Sequence, residues 1–298
     1  MKKLLPLFLS LLMALSGCGT SAPAPADEDG TIVVATTYPV CLFTAAVTEG
    51  VEGYDLQLMI DQPVSCLHDY TLSVSDMRTL ESADVIVMNG AGLEETMEDA
   101  LSSAGDTPVI DCSRGIDLLP AEDSHESDPH IWMDPDLACV MLANINDGLS
   151  AADPDHAAAF AANADAAAET IRAAHENLKE QLTDLPCREI ITFHDGFRYF
   201  ARAFDLTILR AIEEEAGSEA SAREVGDIIT DVEDYGLPAV FTEVNGSDAT
   251  AQVIARECGV KIAVLDLIMS RGQEEMPGID AYLARLSADV TAIQEAYS

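Results

Sequence analysis

Residues 128–135 read Asp-Pro-His-Ile-Trp-Met-Asp-Pro and set the only tryptophan of the chain two residues from one of its six histidines. Two more histidines fall where small ligands gather in parallel α/β folds. His68 lies in Ser-Cys-Leu-His-Asp-Tyr, after the second apolar run, and His194 ends the fifth, Arg-Glu-Ile-Ile-Thr-Phe-His. Two carboxylates hold similar places: Glu243 closes Pro-Ala-Val-Phe-Thr-Glu, and Asp266 stands near the end of Lys-Ile-Ala-Val-Leu-Asp-Leu. Ligands of open parallel sheets bind outside the carboxyl ends of the strands. Neutral imidazoles and a carboxylate are a donor set suited to zinc. His68, His130, His194 and Asp266 are therefore a candidate four-ligand shell, with Glu243 as an auxiliary ligand or a supporting group.

A ligating imidazole needs its ring held by a second partner. Pro129 and Pro135 restrict the backbone of Asp128 and Asp134, and Trp132 supplies a rigid apolar wall that limits water. Asp128 or Asp134 is expected to accept from the ring, and the sequence does not choose between them. Each residue alone has a plainer reading, as a core histidine or, for Asp266, a helix cap. Their shared position at one sheet edge is the argument for a site. Among the other histidines, His156 and His175 fall in an alanine-rich helical stretch and read as solvated. His125 lies in the polar loop Pro-Ala-Glu-Asp-Ser-His-Glu-Ser-Asp.

The same donors admit a secreted zinc hydrolase, with a metal-bound water and Glu243 as general base. The histidines are scattered rather than paired as HExxH on one helix, and no GxSxG elbow is present. Capture of a metal, with protein groups filling every coordination position, fits better than catalysis, which keeps one position open. A surface adhesin with a structural metal is a third class, without a residue that favours it.

Eight short apolar runs must carry these side chains. Four precede residue 115: 31–38, 55–60, 83–89 and 107–113. Four follow residue 187: 188–194, 204–210, 238–244 and 261–267. Near-continuous apolar runs of this kind suit strands buried on both faces. Alternation with helical stretches predicts parallel α/β units. Between the two sets, residues 151–182 are rich in alanine and lack glycine. Asp153 can cap and Pro154 can enter the first turn, which predicts one helix of roughly 40 Å at 1.5 Å per residue. Two shorter helices broken near Asn163 are the alternative. The expected organisation is an amino-terminal lobe over 31–150, a connecting helix over 151–184 and a carboxy-terminal lobe over 185–298.

The first residues stand apart. Lys2 and Lys3 precede an apolar run, then Leu-Ser-Gly-Cys at 15–18. This has the form of a signal peptide over 1–17, and its end resembles a bacterial lipobox, which implies lipidation of Cys18. A lipid there would tether the protein to a membrane surface without a spanning helix. Residues 18–30, small, proline-bearing and acidic, read as a flexible tether. The net charge of −38 argues against nucleic acid or anionic lipid as a partner and favours cations. Six further cysteines, at 41, 66, 112, 139, 187 and 258, contain no CxxC pair. An exported chain can join such cysteines in disulfides, and the sequence does not choose the pairing.

Taken in order, Ala-Thr-Thr-Tyr-Pro (35–39), His-Asp-Tyr (68–70), Ser-Ala-Asp-Val-Ile-Val-Met-Asn-Gly-Ala-Gly-Leu-Glu (82–94), residues 128–135, Phe-His-Asp-Gly-Phe-Arg-Tyr-Phe-Ala (193–201), Val-Phe-Thr-Glu and Val-Leu-Asp resemble the solute-binding lipoproteins of zinc and manganese ABC importers. The likeness runs over nearly all of 31–298. It implies two α/β lobes, each a mainly parallel sheet flanked by helices, joined by a rigid helix, with one metal in the cleft. Carried over by position, the ligands are His68, His130, His194 and Asp266. A histidine at the third place resembles the zinc-type members; glutamate there marks the manganese type, so Zn2+ is the expected cargo and Mn2+ or iron the alternative. The resemblance further implies a membrane permease as partner, an extracytoplasmic lipid-anchored location and a monomer. The chain departs from the family in three places. Leu-Ile-Met-Ser-Arg-Gly follows Asp266 where Pro-Leu-Gly is common, and the loop at His125 has one histidine where zinc-type members carry many. Cys41 and Cys66 also lie near the same edge. A disulfide between them that stiffens the His68 loop is expected, with Cys66 as a soft ligand the alternative.

Overall fold

Each of the eight apolar runs overlaps a strand. The computed structural model describes residues 30–64, 67, 70–120, 127–213, 220–272 and 277–298, and Thr31–Ser298 make up one unit. The first half alternates β1 (Thr31–Ala35), α1 (Tyr38–Val47), β2 (Tyr54–Leu58), α2 (Val74–Glu81), β3 (Val85–Met88), α3 (Glu98–Ser103) and β4 (Val109–Asp111). Its sheet is wholly parallel in the order β2-β1-β3-β4. Val33, Val34 and Ala35 are consecutive and fully buried, as are Ile86 and Val87, because helices cover both faces.

Two helices follow, α4 (Pro135–Ala152) and α5 (Ala157–Gln181). The second half continues with β5 (Glu189–His194), α6 (Arg198–Ala203), β6 (Thr207–Glu213), α7 (Ala222–Tyr235), β7 (Ala239–Glu243), α8 (Ala249–Cys258), β8 (Lys261–Leu265) and α9 (Ile279–Ala296). β5 pairs with β6 and β7 with β8, both in parallel, and β5 runs beside β7. The fold is thus the two-lobe α/β class expected, with parallel sheets flanked by helices. Among the described residues no helix is long and apolar enough to cross a membrane.

The connecting helix differs from expectation at its start. It begins at Ala157, not at residue 151, because Asp153 closes a turn between α4 and α5. Its Oδ1 accepts from the N–H groups of Asp155 and His156, and its Oδ2 from the Tyr54 hydroxyl at 2.6 Å and His156 Nδ1 at 2.7 Å. There is no break at Asn163. That side chain donates to the carbonyls of Val47 and Glu49 at 3.0 and 2.8 Å, which lie at the end of α1 and lack helical partners. From Ala157 to Gln181 the helix spans roughly 37 Å.

His175 is buried, not solvated. Its Nε2 donates to the carbonyl of Ala203 at 3.0 Å, and its ring meets Phe204 edge-on. It continues the stripe Phe160, Ala164, Ala167, Ile171 on the covered face of α5. The disulfide expectation also fails at Cys41, a free thiol on the buried face of α1. Burial pushes it up to about 12. Cys66 lies outside the described residues.

Candidate metal centre

The two Asp-Pro pairs of residues 128–135 do different work. Asp134 is the N-cap of α4: its Oδ1 accepts from Asp136 N at 2.9 Å, and Pro135 occupies the first turn. Its Oδ2 pairs with Arg202 Nη2 at 2.7 Å. Asp134 therefore does not serve His130. Asp128 does. Its buried Oδ1 accepts from His130 Nδ1 at 2.8 Å and from His130 N at 3.0 Å. That bond places the imidazole proton on Nδ1 and leaves Nε2 with a lone pair.

The backbone of this stretch is held carbonyl by carbonyl. The Tyr199 hydroxyl donates to Asp128 O at 3.1 Å, Asn89 Nδ2 to Pro129 O at 3.0 Å, and the Tyr282 hydroxyl to Trp132 O at 2.8 Å. Trp132 is fully buried beside His130, ring centroids 5.3 Å apart, and its indole N–H donates to Leu267 O at 2.8 Å. The tryptophan thus packs against the His130 ring and is also a tie to the residue after Asp266.

Asn89 is itself positioned by Glu94. The buried Glu94 carboxylate accepts from Asn89 N at 2.8 Å, Gly90 N at 3.0 Å and the Thr36 hydroxyl at 2.7 Å. Burial raises this carboxyl to about 7, against the opposing pull of those hydrogen bonds.

His194 ends β5, buried, with its ring 5.6 Å from that of His130 at an interplanar angle of 79°. Gly196 lies close against Leu267 and His130. A Cβ at that position would stand 2.7 Å from both Leu267 methyl carbons and 3.2 Å from His130 Nε2. Glu243 ends β7 opposite Leu265 of β8 and is buried. Asp266 follows directly: its Oδ1 accepts from Ile268 N at 2.8 Å, and its Oδ2 lies 3.2 Å from Arg285 Nη1. Ile268 takes φ +60°, strained for a β-branched residue, in the segment that replaces the common Pro-Leu-Gly.

The sequence reading missed Arg285 and Asp289, both on α9. Asp289 is buried, and its Oδ1 accepts from Asp266 N at 2.8 Å. Burial pushes its carboxyl well above the usual range; the bond from Asp266 N opposes this, and the Asp266 and Glu243 charges add to it. An arginine and an aspartate four residues apart on a helix signal a pair along one face, but nothing in that spacing says which loop the face covers.

The structure thus brings His130 and His194 together and places Glu243 and Asp266 at neighbouring strand ends. His68, His125 and Cys18 lie outside the described residues. Among the described residues no group of three or more His, Cys, Asp or Glu side chains stands ready to hold a metal. Two facing imidazoles, one with its lone pair fixed by a carboxylate, fit part of a metal shell, and such a shell needs a further donor.

These features define a two-lobe α/β binding protein with imidazoles and carboxylates gathered at the carboxyl ends of its strands. The chain belongs to the ZnuA family, described as zinc-uptake complex component A, periplasmic, whose sequence model matches residues 33–296. This is a family of solute-binding proteins and not of enzymes. The chain is 28% identical to the manganese-binding lipoprotein MntA of Halalkalibacterium halodurans, over 88% of each chain. It is 27% identical to the iron-binding protein YfeA of Yersinia pestis, covering 92% of this chain and 88% of YfeA. Against the zinc-binding protein AdcA of Streptococcus pyogenes, identity is 27% over 99% of this chain, which spans 61% of AdcA. A crystal structure of ZnuA superposes with a TM-score of 0.79 at 26% identity, covering 91% of this chain and all of that one.

Proposed function

We propose that this protein captures Zn2+ outside the cytoplasm and delivers it to the permease of an ABC importer. His68, His130, His194 and Asp266 would hold the ion, Glu243 would lie beside them, and a lipid on Cys18 would tether the protein to the membrane. The observation that carries this reading is the buried bond from His130 Nδ1 to Asp128. A carboxylate on one imidazole nitrogen orients and enriches the other for a cation. Histidine at position 194 supports zinc over manganese, since imidazole suits zinc and carboxylate suits manganese. Manganese or iron is the second reading, favoured by the names of MntA and YfeA and by the carboxylates Asp266 and Glu243.

The test is a competition. The purified protein is stripped with chelator, offered equimolar Zn2+ and Mn2+, and its bound metal counted. One tightly held zinc per chain is expected. His194→Glu should then shift preference toward manganese, and His130→Ala should lower zinc affinity strongly with the fold intact. One manganese in place of zinc would transfer the role to the second reading, and no bound metal would refute both.

A further inference from the structure

Arg285 makes contacts among the described residues that reach across the molecule. Its Nη1 lies 3.2 Å from Asp266 Oδ2 and donates to Ser270 O at 2.7 Å, and its guanidinium carbon stands 5.1 Å over the ring of Tyr38, the first residue of α1. Ser270 in turn clasps Val64 from both sides. Its hydroxyl accepts from Val64 N at 2.7 Å and donates to Val64 O at 2.9 Å. Arg271 adds a pair to Asp61 at 3.4 Å. The segment after Asp266 therefore straps that residue to the stretch of the first half that leads toward His68. One helical turn beyond Arg285 stands Asp289. Its Oδ1 is taken by Asp266 N, and its buried Oδ2 has no hydrogen-bond partner among the described residues.

We propose that Arg285 is the counter-ion with which a metal must compete for Asp266, and that this exchange sets how readily the metal leaves. The proposal rests on Asp266 being a ligand. A guanidinium and a divalent cation that seek the same carboxylate also repel each other. The side chains of Arg285 and Asp266 are only 13% and 21% exposed, so solvent screens that repulsion incompletely. Arg285 is anchored by the Tyr38 ring and the Ser270 carbonyl, and does not need to swing into solvent when displaced. Asp289 offers its second oxygen four residues on along the same helix face. Arg285 thus moves from the Asp266 carboxylate toward the Asp289 carboxyl oxygen, stays beside the ion, and reclaims Asp266 on release.

The experiment measures Zn2+ affinity by chelator competition and Zn2+ release by rapid mixing with excess chelator. The proteins compared are the full protein and its Arg285→Gln, Asp289→Asn and Asp266→Ala variants, each checked by thermal unfolding. Arg285→Gln should bind zinc more tightly and release it more slowly, by about tenfold, the scale between an exposed and a buried ion pair. Asp289→Asn, which removes the alternative seat, should weaken zinc. Faster release from Arg285→Gln would show a guanidinium that supports the bound carboxylate and would overturn the proposal. Should that variant not fold, an unchanged affinity in Asp289→Asn overturns it instead. If Asp266→Ala keeps full affinity, the ligand assignment itself fails; if only Asp266→Ala weakens binding, the ligand stands and the exchange does not.

Discussion

Replacing Asp128 with asparagine tests the arrangement on which the site depends. Asp128 Oδ1 receives two hydrogen bonds from His130, at 2.8 Å from the ring and 3.0 Å from the backbone, and both residues are buried. Bonds to a charged acceptor contribute about 1.5–3 kcal/mol each. Asparagine keeps the shape and one carbonyl acceptor, so the ring stays near its place, but the charge that enriches Nε2 is gone. Loss of such a partner lowers metal affinity about 10–100-fold, or roughly 1.4–2.7 kcal/mol. Zinc titration against a competing chelator reads the affinity, and thermal unfolding reports the fold. Near-native stability with affinity reduced in that range is the expected result. Native affinity in Asp128→Asn, beside a strong loss in His130→Ala, would refute the claim that the carboxylate prepares the imidazole.

Two further outcomes follow from the packing and from a buried acid. Gly196→Ala would drive a methyl into the buried Leu267 and toward His130 Nε2, costing about 1–3 kcal/mol and weakening zinc. Unfolding and zinc titration check both, and no change in either would mean that the His194 turn has slack. Glu94, raised from 4.5 to about 7 by burial, binds a proton in the folded protein that the unfolded chain releases between those values. Its contribution to stability is therefore greatest at low pH, falls by roughly 3 kcal/mol as pH rises through that window, and is flat above it. Denaturant unfolding from pH 5 to 8 should show that slope in the parent and a flatter one in Glu94→Gln; equal slopes would assign the effect to other groups.

The strands were legible because each is a near-continuous apolar run, and all eight formed within a few residues of their expected places. The pairing of Asp128 with His130 was narrowed to two aspartates, and local chemistry settled it: Asp134 precedes a proline that begins a helix, so its side chain was claimed by the cap. The break at Asp153 was hidden because its side chain serves two helices and a tyrosine from β2, a distant partner that no local pattern announces. His175 was readable in principle. It extends the spacing of Phe160, Ala164, Ala167 and Ile171, but the alanines around it mask the apolar stripe. Arg285 and Asp289 could not be read at all, because their meaning comes from Asp266, which meets them only across the fold.

The free cysteines have a bearing on how bound metal would be counted. Burial raises the thiols of Cys41, Cys112, Cys139, Cys187 and Cys258 alike. A protonated thiol is a poor nucleophile and a poor ligand for soft ions. These five sulfurs are therefore less reactive toward soft ions and mild oxidants than a free cysteine. Sulfur capture at these five positions is thus disfavoured when bound metal is counted per chain, and Cys18 and Cys66 lie outside the described residues. Among the described residues these five cysteines carry no cross-link, so a reductant in the assay leaves this part of the fold as it was.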